Sequence, residues 1–398
     1  MPDALDHVDS YHREMLTRDQ LLRRSLVGLG ALALGPAVLA SARSASAATS
    51  AERSTTLSVF GPNYAELKSW SGFTQATGQK MNWSIVADAT GPFVSKVVTG
   101  GAADHNDLLF FDGGVQNILG PKYLVAPDTS KMPGWSKIPH TVLYNPQMTY
   151  KGKPFGVPGV YNADSFGYYP KDLGTVTSYS VLFEDNRTLK KVAIEDNWLT
   201  TLPEAATYMI HKGYAKISDP SNMTPTEASK VVDFLIQRKK AGQFRTFWTS
   251  WEEAISLLGN REVIVANVWE PVIRALLAQG KKVEYAYSKE GYNKWMGAFW
   301  VPSHSANNPQ IYDALNYFLG GQYAAQIAAE QGYATGRPDL GIAYVKAHPS
   351  QFKPADRTYV LQKYKETTTK YRSKYFWQNA APQYRAEIES EWERFKSA

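Results

Sequence analysis

Short hydrophobic runs alternate along the chain with stretches in which apolar residues recur at helical spacing. Residues 55–61 and the run that ends at Asp112 are short and apolar, as buried strands are, and residues 79–88 alternate between apolar and polar. Amphipathic stretches over 63–78 and 91–101 separate them and predict helices, the first of which ends at Gly78. Strands that alternate with helices predict a parallel sheet of the α/β class.

The same pattern begins again after an extended stretch rich in proline and glycine, which predicts a crossover between two lobes. The crossover is residues 153–170. The predictions that follow it are a strand at 190–198, a helix at 224–242, a helix–strand–helix unit at 250–280, a strand at 281–289, helices at 309–321 and 323–332, and a mostly polar, helical tail at 361–398. A pattern that restarts once indicates two α/β lobes.

Ligands of open parallel sheets bind beyond the carboxyl ends of the strands. In the first half of the chain these ends are residues 61–63, 88–91 and 112–114. The sequence therefore predicts a binding site that includes these three turns.

The N-terminal 47 residues have the features of an export signal. Arg23 and Arg24 precede an apolar stretch of moderate hydrophobicity, residues 26–40, and Ala45-Ser46-Ala47 fits a cleavage site. The paired arginines indicate the twin-arginine route, with cleavage near Ala47 and a periplasmic location. The apolar stretch is shorter than the roughly 20 residues that span a membrane, although an uncleaved anchor is the alternative.

Charge and cysteine content exclude several classes of function. The net charge is +6, but Lys and Arg are scattered, and their densest cluster, residues 237–242, is explained better by a helix C-terminus than by nucleic acid. The chain has no cysteine, which excludes disulfides, Cys-ligated metals, a thiol nucleophile and a lipid anchor on cysteine. We predict a monomer with no cofactor, no metal and no nucleic-acid partner.

Sequence motifs of enzymes are also missing. We find no glycine-rich phosphate loop, no G-x-S-x-G elbow and no H-E-x-x-H. An exported hydrolase with Glu252 or Asp112 poised in the cleft is one alternative. We predict that the protein is not an enzyme.

Several motifs, taken in order, resemble one known family. The chain has "VIVANVW" before a helix, then "YNKWMGAFWVP" (292–302), "AAEQGYATGRPD" and, before a charged terminal helix, "YFWQN". Over about residue 55 to the end this resembles the periplasmic spermidine/putrescine-binding proteins of ABC importers. The resemblance implies a two-lobe periplasmic-binding-protein-like fold (type II) with a hinge that closes on ligand.

The resemblance also implies roles for individual residues. Trp269, at the end of the "VW" strand, and Trp295, in "WMG", correspond to tryptophans that stack on the ligand. The other positions that it assigns to the ligand are Tyr333, Gln378 and Asp196. Trp300, by contrast, is expected in the core of a lobe.

Three positions depart from the family's motifs, and two of the departures remove a charge. The Asp that follows Trp-Met is Gly297 here, the Glu beyond the strand-end Asp falls at Leu199, and Tyr64 in "GPNY" is nearest to a family tryptophan. We therefore expect a site that keeps its aromatic walls, loses part of its carboxylate set, and has open space at Gly297.

Three acids could hold one ammonium group in such a site. They are Asp112, Asp196 and Glu270, of which Glu270 directly follows Trp269. The alternative role for Glu270 is that its negative charge stabilises the N-terminus of the helix that follows.

These observations lead to one prediction and three alternatives. The protein is expected to capture a small, polyamine-like organic amine between lobes 48–160 plus 298–345 and 161–297 plus 346–398, and to deliver it to an inner-membrane ABC permease. The alternatives are a zwitterion such as an opine or aminophosphonate as ligand, a receptor that feeds a membrane sensor, and the exported hydrolase.

Overall fold

One large mixed sheet runs through the computed structural model, which describes residues 56–372 and 375–398. The strands are β1 Thr56–Gly61, β2 Lys80–Ile85, β3 Leu108–Asp112, β4 Leu124–Val125, β5 Thr149–Tyr150, β6 Lys153–Pro154, β7 Val157–Tyr168, β8 Val192–Glu195, β9 Phe244–Trp248, β10 Val265–Val268, β11 Glu284–Tyr285, β12 Tyr292–Pro302, β13 Ala334–Thr335 and β14 Tyr375–Trp377. The predicted export signal lies outside the described residues.

Helices cover the sheet between these strands. They are α1 Ser71–Thr77, α2 Thr90–Val98, α3 Ala102–His105, α4 Val115–Tyr123, α5 His140–Leu143, α6 Pro170–Leu173, α7 Ser180–Phe183, α8 Trp198–Lys212, α9 Pro225–Lys240, α10 Trp251–Gly259, α11 Glu270–Ala278, α12 Pro309–Phe318, α13 Gly321–Gln331, α14 Pro338–Ala347, α15 Pro354–Arg372 and α16 Arg385–Ser397. In the described part of the chain, no helix is both long enough and apolar enough to cross a membrane.

The strand order divides the sheet into two halves. The main path is β2-β1-β3-β12-β7-β10-β8-β9. Strands β1, β2 and β3 are parallel to one another, as are β8, β9 and β10. Between these two sets run the long strands β7 and β12, paired antiparallel with each other and with their outer neighbours. Two parallel α/β units are thus joined by two shared strands.

Each half has its own hydrophobic core. The first core draws on β1, β3, β12 and α12–α15, and the second on β8, β10, α8, α9 and α16. Along β7 the first core extends to Ala163 and the second begins at Phe166. Trp300 is fully buried in the first core, where its Nε1 donates to the Phe111 carbonyl at 3.1 Å. The lobe limits proposed from the sequence stay a prediction.

Most elements predicted from the hydrophobic pattern are confirmed, including helix α9. Its first turn carries a capping box in which Thr224 and Glu227 bond each other's backbone N–H groups. The crossover at 153–170 is largely the long strand β7.

Two predicted elements are shorter than expected. In the stretch 63–78 a 3₁₀ turn, Asn63–Ala65, precedes the short helix α1. The Lys68 N–H between them donates to Glu330 Oε2 at 2.9 Å, so a tertiary contact replaces a helical bond there. The strand predicted at 281–289 is reduced to β11.

Candidate functional site

A cavity of about 590 Å³ lies where the carboxyl ends of both parallel sets meet. The turns after β1, β2 and β3 line it from one half, and those after β8, β9 and β10 from the other. Strands β7 and β12 pass between them. The three turns of the first half are those predicted from the sequence to lie at the site.

Seven of the eight predicted ligand residues line this cavity. They are Tyr64, Asp112, Asp196, Trp269, Trp295, Tyr333 and Gln378. The structure therefore brings together residues that are more than 300 positions apart in sequence. Their contact with a ligand stays a prediction.

Glu270 does not reach the cavity. Its side chain is buried between helices and accepts a hydrogen bond from the Tyr359 hydroxyl in α15. A Cβ added at Gly332 would lie 2.4 Å from Glu270 Cγ, which shows how closely the carboxylate packs against the end of α13. Glu270 is not among the residues that line the cavity, so this geometry does not support its proposed role as a ligand carboxylate.

Trp295 and the two tyrosine rings that pack against it form one wall of the cavity. The Trp295 ring lies 5.5 Å from the Tyr64 ring and 5.0 Å from the Tyr333 ring, both edge to face. On the other side Trp269, which directly precedes α11, contacts the buried Trp248 ring at 5.1 Å. Two aromatic walls suit an alkyl chain between them, and their π faces suit a cation.

Asp164 is the most deeply buried carboxylate of the site, and the sequence prediction missed it. It lies in β7 and is 3% exposed. Trp295 Nε1 donates to its Oδ2 at 2.6 Å, and the Tyr285 hydroxyl and Asn162 Nδ2 donate to its Oδ1. Burial nevertheless raises the pKa of Asp164 to about 8. An acidic residue in the middle of an otherwise buried strand was the feature that could have identified Asp164 as a site residue.

Glu195, the last residue of β8, also lines the cavity. Its Oε1 accepts from Asn197 Nδ2 at 3.0 Å, while its Oε2 is buried with no hydrogen-bond partner among the described residues. Burial raises the pKa of Glu195 to about 7. Asp196, the residue predicted instead, also lines the cavity but is held from α16 by Trp392 Nε1 at 3.0 Å and Lys396 Nζ at 3.4 Å.

The space expected at Gly297 is occupied. A Cβ at this position would lie 2.7 Å from Tyr64 Cε2 and 2.6 Å from Phe110 Cζ. Asp112 is the direct cross-strand partner of Gly297 on β3, so a carboxylate stands beside the glycine. Burial raises the pKa of Asp112 to about 6, against the lowering effect of a hydrogen bond from Tyr64. Asp112 was itself among the predicted ligand residues, and the expected loss of two family carboxylates stays a prediction.

The charges that line the cavity are mainly negative. The acids are Asp88, Asp112, Asp164, Glu195, Asp196 and Glu252, of which Glu252, the hydrolase candidate, is exposed. Arg385 is the basic residue among the described lining residues, and its Nε pairs with Glu389 at 2.7 Å. Within residues 56–372 and 375–398 no group of three or more His, Asp or Glu is arranged to hold a metal ion. Buried carboxylates without countercharges favour an organic cation.

Comparisons with known proteins agree with this architecture. The model of the family described as "Bacterial extracellular solute-binding protein" matches residues 68–350. The putrescine-binding periplasmic protein PotF of Escherichia coli K12 is 24% identical over 250 residues, which are 58% of this chain and 65% of that protein. The chain thus spans about two thirds of that relative's length.

Solved structures share the fold at low identity. The spermidine/putrescine ABC transporter substrate-binding protein PotD of Streptococcus pneumoniae superposes with a TM-score of 0.69 at 15% identity, over 86% of this chain and 99% of that one. The binding protein MotA of A. tumefaciens B6, solved with glucopine, gives 0.58 at 10% identity over 86% and 99%. The fold is therefore the two-lobe type II binding-protein fold. The family model covers most of the chain, and the protein belongs to the bacterial extracellular solute-binding proteins.

Proposed function

We propose that the protein captures a small organic amine with more than one positive charge and delivers it to the permease of an ABC importer. The observation that carries the proposal is the set of buried carboxylates, Asp112, Asp164 and Glu195, on either side of tryptophan walls. A relative named for putrescine and a fold neighbour named for spermidine and putrescine support the same ligand class. The protein acts as a binding protein without turnover, as a monomer.

The proposed location is the periplasm, reached through a twin-arginine signal cleaved near Ala47. Two features support it: the paired arginines Arg23 and Arg24, and the extracellular family to which the chain belongs. The lobes are proposed to close on the ligand about β7 and β12, which run between the two cores.

A second candidate ligand is an amine that also carries a carboxylate. It is favoured by Arg385, whose guanidinium lines the cavity and could pair with an anionic group. A fold neighbour solved with the opine glucopine is consistent with this class. The excess of acids over bases in the cavity makes the polyamine the first choice.

Calorimetry on the mature protein tests the choice with ligands matched in length. We expect putrescine to bind more tightly than 4-aminobutyrate, which replaces one ammonium by a carboxylate, and than butylamine, which lacks it. Asp164→Asn should weaken putrescine binding by about 10–100-fold, because a charge-assisted hydrogen bond contributes about 1.5–3 kcal/mol.

The control for charge is Asp233→Asn, an exposed acid paired with Arg394 and outside the cavity. Tight binding of 4-aminobutyrate or glucopine without putrescine binding would select the zwitterion instead. Turnover of a glycoside or ester would favour the hydrolase.

A further inference from the structure

Gly297 is a glycine for reasons of space rather than of backbone conformation. It is not among the glycines with positive φ, so other residues could adopt its backbone geometry. A Cβ there would lie 2.9 Å from the Tyr64 hydroxyl oxygen as well as against the Tyr64 and Phe110 rings. Because Gly297 has no side chain, the Tyr64 side chain can occupy this space.

Tyr64 uses that volume to reach Asp112. Its ring packs edge-on against Phe110 at 5.0 Å and Trp295 at 5.5 Å, which fixes the direction of the hydroxyl. The hydroxyl donates to Asp112 Oδ1 at 2.5 Å. A hydroxyl has one proton to donate, so this bond orients the carboxylate and stabilises its ionised form.

We propose that Tyr64 is a positioning residue for ligand binding: lying over Gly297, it holds the Asp112 carboxylate oriented as the anchor for one ammonium group. This inference rests on the proposed function, because it assigns one pole of the same site. The titratable groups that face Asp112 are Tyr64 itself, Asp88 from the β2–α2 turn and Tyr333 from the end of α13. Asp88 and Tyr333 are acids, so neither supplies a positive charge to Asp112.

The test is putrescine affinity as a function of pH in Tyr64→Phe. This variant keeps the ring and removes the proton donor, so the pKa of Asp112 in the free protein should rise. We expect putrescine to bind about tenfold more weakly at pH 6 and about threefold or less at pH 8, where Asp112 ionises without help. An effect that is equal at all pH values would overturn the proposal.

A double-mutant cycle gives a second measurement. Asp112→Asn should weaken putrescine binding at every pH, and adding Tyr64→Phe to it should cost nothing further, because the hydroxyl acts through the carboxylate. Additive losses would contradict a positioning role.

Gly297→Ala, which must displace Tyr64, should lower affinity at least as much as Tyr64→Phe does. Its matched control is Gly259→Ala in α10, where an added Cβ meets nothing closer than 3.4 Å. Wild-type protein that binds no amine at any pH would overturn the proposed function together with this inference. Wild-type binding with a pH-independent Tyr64→Phe overturns this inference alone.

Discussion

Trp269 differs from Trp295 and Tyr333 because its side chain is only partly buried. It contacts Trp248 edge-on, which leaves a face available to the cavity. A cation over a desolvated indole face contributes about 2 kcal/mol. The position of Trp269 after β10 is set by the strand end and not by its own packing.

Trp269→Ala should weaken putrescine binding by about 30-fold, the equivalent of that contribution. Trp269→Phe, which keeps a smaller π face, should lose less. Calorimetry gives the affinities, and thermal unfolding of the free variants shows whether the fold is intact. Full affinity in Trp269→Ala would mean that the ligand occupies the half of the cavity nearer to Trp295.

At the scale of residues, the sequence predicted aromatic positions better than acids. Trp269, Trp295 and Tyr333 stand in short local motifs that can be read directly from the sequence. A carboxylate can be supplied to the same part of the cavity by a residue on a different strand, so its position is harder to predict. Asp112 stands across from Gly297 through β3–β12 pairing, which no local motif encodes.

Asn267 ties three elements together behind the site. From β10 its Oδ1 accepts the Glu195 N–H of β8 at 2.8 Å, and its Nδ2 donates to Thr201 Oγ1 and Glu204 Oε2 of α8. All four residues are buried. Burial raises the pKa of Glu204 well above its ordinary value, against the lowering effect of its hydrogen bond from Asn267.

Asn267→Leu should lower the free energy of unfolding by about 2–3 kcal/mol, because it leaves buried polar groups without partners. Urea unfolding measures the change. The matched control is Asn260→Leu at the exposed end of α10, which should change stability by less than about 0.5 kcal/mol. Equal effects of the two variants would show that the buried network adds nothing.

At the scale of elements, the hydrophobic pattern predicted the parallel units because each strand and the helix that follows it are adjacent in the sequence. It missed the length of β7, since residues 153–170 contain proline and glycine, which usually mark loops. Gly159 and Gly167 lie inside the strand, where side chains of Phe110 and Ile273 fill the space next to them. Such packing depends on distant residues and leaves no local signal.

In the whole molecule, helix α11 links the second core to helices of the first. Arg274 pairs with Asp356 of α15 at 2.5 Å and donates from Nε to the Ala329 carbonyl of α13 at 2.9 Å. Glu270, one turn earlier, accepts from Tyr359 of α15. Glu270 directly follows Trp269 in sequence and packs against Gly332, which precedes Tyr333, so these contacts connect the backbone next to both walls of the cavity.

The buried acids also set the pH dependence of stability. Asp164, Glu195 and Asp112 have pKa values of about 8, 7 and 6 in the folded protein, against 3.8, 4.5 and 3.8 as ordinary values. Between pH 5 and 7 the folded state therefore binds more protons than the unfolded state, and stability falls as pH rises. Lys294, whose pKa burial lowers to about 7, acts in the opposite direction only above that window.

We expect the melting temperature of the ligand-free protein to fall by several degrees from pH 5 to pH 7. Saturating putrescine should reverse the fall, because bound ammonium groups favour the ionised carboxylates, so the stabilisation by ligand should grow over the same window. Asp164→Asn removes one of these raised pKa values and should make the slope less steep, whereas Asp233→Asn at the surface should leave it unchanged. A slope that is equally steep in Asp164→Asn would mean that other groups set the pH dependence, and that burial of this acid costs the free protein little.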